Sequence, residues 1–165
     1  MLGKLLKRHE KVAFYGVTDE QGITTFYRMR GFTKMDISKN PQEYKRKYVD
    51  ECFEQTDVVG FSPSISFSFD RYSEDPVHDD IIELSDNEVL GTDAVRTIVI
   101  ADFSTMDEEC CVDAVRRDFS VMVETEGNSP DAYTLSGVMN AKGEKVIGRA
   151  AISDDRSCLV FMDNE

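Results

Sequence analysis

Histidine is nearly missing from this chain: His9 and His78 are the only two in 165 residues. The four cysteines are Cys52, Cys158 and the adjacent Cys110–Cys111. None belongs to a CxxC or a Cys/His spacing, so a zinc site has no ligand set, and no metal is expected. Reduced thiols in a cytosolic protein are what this usage predicts. Also absent are GxSxG, a P-loop, GxGxxG and HExxH, which removes the best-marked nucleophilic, nucleotide-binding and zinc-hydrolase chemistries. No catalytic residue and no cofactor is expected. No apolar run approaches the length of a membrane span, and the opening MLGKLLKRHEK lacks an apolar stretch long enough for a signal peptide. These absences predict a soluble protein made in the cytoplasm, without a membrane partner. There is no internal repeat, low-complexity tract or linker. A single domain over residues 1–165 is therefore expected, long enough to bury roughly two-thirds of its unfolded surface.

What is present is a core and a large excess of acid. Hydrophobic residues make up 41%, with 10 Phe and 6 Tyr, enough for a packed interior. The net charge of −13 argues against non-specific binding to DNA or anionic lipid. The charge is unevenly spread. Residues 1–50 hold 11 Lys and Arg against 6 Asp and Glu, a balance of +5, whereas residues 51–165 stand at −18. Poles of opposite sign would suit head-to-tail contact between copies; an uneven solvated surface accounts for the same numbers.

Residues 1–10 form a basic arm with little to bury, expected to be flexible until a partner orders it. KVAFYGV and TTFYRMRGF read as strands around a TDEQG turn. SISFSFDRY alternates, with Ile65, Phe67 and Phe69 on one face. SEDPVHDDIIELSDN is the one convincing helix: Asp75 is placed to cap it, Pro76 to open it, and Val77, Ile81 and Leu84 to share one stripe. Strands return in AVRTIVIADF, CVDAVRRDFSVMVETEG, AYTLSGVMNAKG, EKVIGRAAIS and SCLVFMD. The fold class expected is mainly β, two antiparallel sheets forming a sandwich or barrel, with one flanking α-helix.

Three clusters invite a chemical reading. His78 lies near Asp75, Asp79 and Asp80, from which a metal-dependent hydrolase can be imagined; the positive end of a helix dipole accounts for the same acids. Asp107, Glu108 and Glu109 beside the vicinal cysteines could attract a cation, or form a charged loop. EYKRKY combines cations with Tyr44 and Tyr48, as a nucleic-acid-binding β-domain would, but Asp50, Glu51, Glu54 and Asp57 follow and repel phosphate.

The long stretch SKNPQEYKRKYVDE…EQTDVVGFSPSISFSFDRY resembles the major tail tube proteins of long-tailed, siphovirus-type bacteriophages and prophages of Gram-positive bacteria. The likeness is close over Phe26 to Tyr72, with Phe61 where Tyr is common in the family, and is architectural beyond. It implies a β-sandwich whose copies form hexameric rings, stacked into a tube that conducts DNA at ejection. It also implies self-association and contacts with tail terminator, tape measure and distal tail proteins. DNA would be non-specific cargo, and the places of residence the host cytoplasm and then the virion tail. The inner tube of a contractile tail or phage-like bacteriocin shares this pattern.

In that light residues 33–63 are expected as a long inter-strand loop used in assembly. Lys39, Asn40 and Pro41 would make its turn. Tyr44 and Tyr48 would share a face if Gln42–Glu51 is helical. Lys45, Arg46 and Lys47 would meet acids on a neighbour, and Asp50 and Glu51 would belong to the same subunit-contact loop. The basic arm, with Lys4, Lys7, Arg8 and Lys11, is expected to order on assembly.

Overall fold

A computed structural model describes residues 2–163. Eleven strands are recorded: β1 Lys11–Thr18, β2 Thr24–Arg28, β3 Phe32–Ser38, β4 Pro41–Arg46, β5 Gln55–Phe61, β6 Ser64–Asp70, β7 Val95–Asp102, β8 Cys111–Glu126, β9 Thr134–Ala141, β10 Val146–Ile152 and β11 Cys158–Asp163. One α-helix, α1, spans Pro76–Asp86. Nine strands run in the order β10-β11-β2-β1-β7-β8-β9-β6-β3, and β10 also pairs with β8, which closes six of them into an antiparallel barrel. The remaining pair, β4 and β5, forms a separate two-stranded sheet. The expected mainly-β architecture with one flanking helix is therefore what folds.

The length of β8 makes barrel and wing continuous. Its first part, Cys111–Arg116, pairs with β10. Its later part, Phe119–Glu126, pairs with β9, leading to β6 and β3. A β-bulge between Val123 and Thr125 bends the strand on its way out of the barrel. Opposite it lies Gly137, where a Cβ would stand 2.0 Å from the Met122 carbonyl oxygen, so only glycine fits.

Alternation along β1 and β7 separates two cores. Val12, Phe14 and Val99 face the barrel interior with Val112, Ala150 and Leu159. Tyr15 and Ile98 face the other way, into a second cluster with Phe67, Phe69, Leu135 and Ile81 of α1. The helix covers this outer face because its apolar stripe matches the sheet. Val77, Ile81 and Leu84 are buried as their spacing predicts. Asp75 caps it, accepting from the N–H groups of Val77 (2.9 Å) and His78 (3.2 Å).

One expected strand is in fact two. TTFYRMRGF breaks after Arg28, and the chain crosses from the barrel to the edge of the wing, where β3 pairs with β6. Gly31 makes the crossing at φ +77°, with the Tyr72 ring and the His78 Cε1 lying 3.0–3.1 Å from where a Cβ would be.

Candidate assembly surface

The stretch expected as an inter-strand loop is largely β-structure. β3 occupies Phe32–Ser38, and β4 and β5 form a ribbon that connects it to β6. The conditional helix over Gln42–Glu51 is replaced by strand through Arg46. Pro41 sits at the first strand position, where its missing N–H is tolerated, and Thr56, Val58, Val59 and Phe61 favour extended backbone. Asn40 adopts φ +47° at the base of the ribbon. Its side-chain Nδ2 donates to the Ser62 carbonyl (3.0 Å) and the Ser64 hydroxyl (3.1 Å), tying the ribbon to β6. Lys39 precedes it and is exposed.

Tyr44 and Tyr48 do meet, though not on a helical face. The Arg46 guanidinium lies between them, 5.3 Å from one ring centroid and 5.5 Å from the other. Its Nη2 pairs with Asp57 across the ribbon at 2.5 Å. Arg46 is thus engaged within its own hairpin. Lys45 stands 3.8 Å from Glu43, and Lys39 and Lys47 form no ion pair among the described residues. Asp50 is exposed near the tip, and Glu51 accepts from the Gln55 side chain at 2.7 Å.

The ribbon's most conspicuous residues carried no signal in the charge pattern. Val49, Phe53, Val58, Val59 and Phe61 are all exposed, and Val59 is the extra residue of a bulge opposite Gln42 and Glu43. A two-stranded ribbon that holds its apolar side chains in water is marginal by itself and gains when a partner covers it.

In the arm, Lys4 pairs with Glu10 (2.6 Å), whose carboxylate also accepts from the Lys7 N–H (2.7 Å). Arg8 donates to the carbonyls of Lys11 (2.7 Å) and Met35 (3.1 Å), which lays the arm beside β3, while Lys11 stands 4.0 Å from Asp102. The division into a basic first fifty residues and an acidic remainder is not a division in space. β1 and β2 lie between β7 and β11, so the two parts interleave.

In the clusters that invited chemistry, several side chains are held by structural contacts. Asp75 is the helix cap, Asp79 is exposed, and Asp80 accepts from the Tyr15 hydroxyl (2.5 Å) and Arg96 Nε (2.8 Å). Burial, and after it the Asp80 charge, push the Tyr15 hydroxyl well above its ordinary value, so it remains a donor. His78 is fully buried against Phe69. The Tyr72 N–H donates to its Nδ1 (3.1 Å), so the ring proton belongs on Nε2, which donates to the Arg30 carbonyl (2.6 Å). Asp107 accepts from the N–H groups of Cys111 and Glu109 (both 2.9 Å) and pairs with Arg149 (2.8 Å). The Cys111 N–H bond is the chief reason its carboxyl sits below the usual range. Among the described residues no group of three His, Cys, Asp or Glu is placed to hold a metal.

No protein-family profile matches the sequence, and no curated protein does. Solved structures match in fold. One is a chain from the six-fold symmetrised cryo-electron microscopy structure of the anti-feeding prophage baseplate. It superposes with a TM-score of 0.52 and 8% identity over 88% of this chain and 97% of that one. The barrel with its helix-covered wing is thus a fold shared with a prophage baseplate component.

Proposed function

We propose that this chain is a structural subunit of a phage-tail-like particle, one that assembles with copies of itself into stacked, hexameric rings forming a tube for DNA. The observation that carries the reading is the β4–β5 ribbon, an exposed apolar hairpin tied at its base to a rigid sheet. It falls in the very stretch that resembles the tail tube family. The shared fold with a chain of a prophage baseplate supports the tail context, and the ring order follows from the tail tube resemblance. No catalytic role is proposed: Asp75 caps the helix, His78 is packed against Phe69, Asp80 holds Tyr15 and Arg96, and Asp107 pairs with Arg149. Partners would be neighbouring copies and the terminator, tape measure and distal tail proteins, met first in the host cytoplasm and then in the virion tail.

A second reading is favoured by the same likeness: a baseplate or inner-tube component of a contractile particle or phage-like bacteriocin, since the matched chain belongs to a baseplate. A nucleic-acid module built on EYKRKY gains less support. Both tyrosines already bracket Arg46, and Arg46 already holds Asp57. Electron microscopy of the purified protein at rising concentration separates these. Rings or tubes of uniform width are expected. A strictly monomeric protein that retards DNA in a salt-dependent manner would overturn the assembly reading.

A further inference from the structure

Where β3 of the wing meets the barrel, a groove of about 450 Å³ stays open. Ala13 of β1 and Ile100 of β7, which are register partners, line it on the barrel side. Met35 and Ile37 line it from β3, with Leu6 of the arm alongside. Ala13, Met35 and Ile100 also pack on the outer core, so the groove is an open margin of that core. Ile37 and Leu6 are exposed on it. β3 is the last strand of the nine-stranded sheet, with only β6 beside it. An apolar margin along an open sheet edge is a surface that association covers.

The rim of the groove is cationic. Lys7 and Arg8 line it and form no ion pair among the described residues, nor does Lys39, just past the end of β3. Each acid nearby already faces a cation: Glu10 faces Lys4, Asp36 faces Lys34 and Asp102 faces Lys11. Six cations (Lys4, Lys7, Arg8, Lys11, Lys34 and Lys39) thus stand against three carboxylates, a balance of +3. Further along the sheet Asp107 and Asp113 share Arg149, which lowers the balance only to +2.

The ribbon tip has the complementary make-up. The Glu51 N–H donates to the Tyr48 carbonyl (3.1 Å), closing a turn with Val49 and Asp50 at its corner. Val49 and Phe53 are exposed there. Between Lys47 and Glu54 the charges are Lys47 against Asp50, Glu51 and Glu54, a balance of −2. The cations of β4 do not offset this, because Arg46 is held by Asp57 and Lys45 faces Glu43. Two apolar side chains set among acids therefore match an apolar groove set among cations. The subunit's own tip is not the occupant. No ribbon residue lines the groove, and the 6 residues of β4 carry the tip about 20 Å from the ribbon's base.

We propose that the ribbon tip of one copy, residues 48–54, seats Val49 and Phe53 in the groove between β3 and the barrel of a second copy, with Asp50 and Glu54 beside Lys7 and Arg8. Donor and receiver are different patches of the subunit, so the contact is heterologous and recurs from copy to copy. It rests on the assembly reading and deepens it by naming the surface that receives the ribbon.

Cys52 lies exposed at the tip and serves as the probe. Assembled Ile37→Cys protein is oxidised and its cross-linked peptides are mapped by mass spectrometry. Ile23→Cys, exposed at the far end of β1, is the control. A disulfide needs Cα atoms within roughly 7 Å of each other. The expected product is a covalent ladder joining Cys52 of one copy to position 37 of the next, lost in Ile37→Cys/Cys52→Ser and absent from Ile23→Cys. Phe53→Ser and Ile37→Ser are each expected to raise the protein concentration needed for assembly at least about tenfold, while dilute subunits melt as wild type. The double variant is expected to be little worse than either single one, since both remove the same contact. Strictly additive losses would overturn the proposal. So would a thiol at position 37 that joins Cys110, Cys111 or Cys158, because another face would then fill the groove, or one that stays free in assembled tubes. In each of those cases the assembly reading stands. Wild-type protein that never associates overturns both.

Discussion

The ribbon offers the most direct perturbation, replacement of Val58, Val59 and Phe61 together by threonine. In the subunit these side chains are 60, 64 and 59% exposed, so their removal takes little from the core. Threonine keeps a high preference for extended backbone, so the hairpin itself is retained. Full burial of a side chain of this kind contributes roughly 1.5–3 kcal/mol, and about six-tenths of that is still unrealised at each position. The three together therefore hold about 3–5 kcal/mol in reserve for a partner surface. Threonine keeps one methyl group at each position, and a partner surface covers such side chains only in part, which brings the expected loss to about 2 kcal/mol per contact. That is about thirtyfold in an association constant. The assay is sedimentation velocity across a concentration series, with circular dichroism melting of dilute protein alongside. The midpoint of assembly should move about thirtyfold upward while the dilute subunit melts within a few degrees of wild type. Assembly at the wild-type concentration, with melting unchanged, would refute the argument that these apolar residues are covered by a neighbour.

Other outcomes follow from the supports beneath that surface. Tyr15→Phe removes a hydrogen bond to a partly buried carboxylate already shared with Arg96, and should destabilise the fold by about 1.5–3 kcal/mol in urea unfolding, with the m value unchanged. Gly31→Ala forces a side chain into the left-handed region against the Tyr72 and His78 rings, and should cost about 1–3 kcal/mol, read as a lower denaturation midpoint. Asp155 is depressed from 3.8 to about 2 by the Ser157 and Ser153 hydroxyls, so it contributes stability above its unfolded value that is lost as pH falls through the folded one. The difference in stability between wild type and Asp155→Ala should accordingly shrink between about pH 4 and pH 2 in acid titrations followed by tryptophan-independent circular dichroism.

Local features were legible along the chain because they depend on neighbours in sequence. Asp75-Pro76 opening a helix with Val77, Ile81 and Leu84 on one stripe is a matter of 3.6-residue spacing and capping, and the helix forms where that spacing says. The alternation of Ile65, Phe67 and Phe69 likewise places all three in the core. KVIGRAAIS carries apolar residues on both faces, so alternation alone does not orient it. Only closure of the barrel between β8 and β11 sends Ala150 and Ile152 inward and leaves Ile147 and Arg149 on the outside, the latter held by Asp107 and Asp113. The candidate surface was half legible. Its tyrosines and cations stood out, whereas the ribbon's pairing and its exposed valines depend on a partner strand about fifteen residues away.

Composition and periodicity thus determined by themselves that this is a β-rich, acidic chain with one capped helix, lacking the common marks of catalysis. Charge along the sequence did not determine charge in space. β1 and β2 are inserted between strands from the second half of the chain, and that pairing breaks up the apparent poles. Tertiary structure alone decided that Leu6, Met35 and Ile100, from three separated segments, meet along one groove. The physical reason is that backbone pairing and barrel closure bring distant segments within a few ångströms of each other, a proximity to which no local pattern is sensitive.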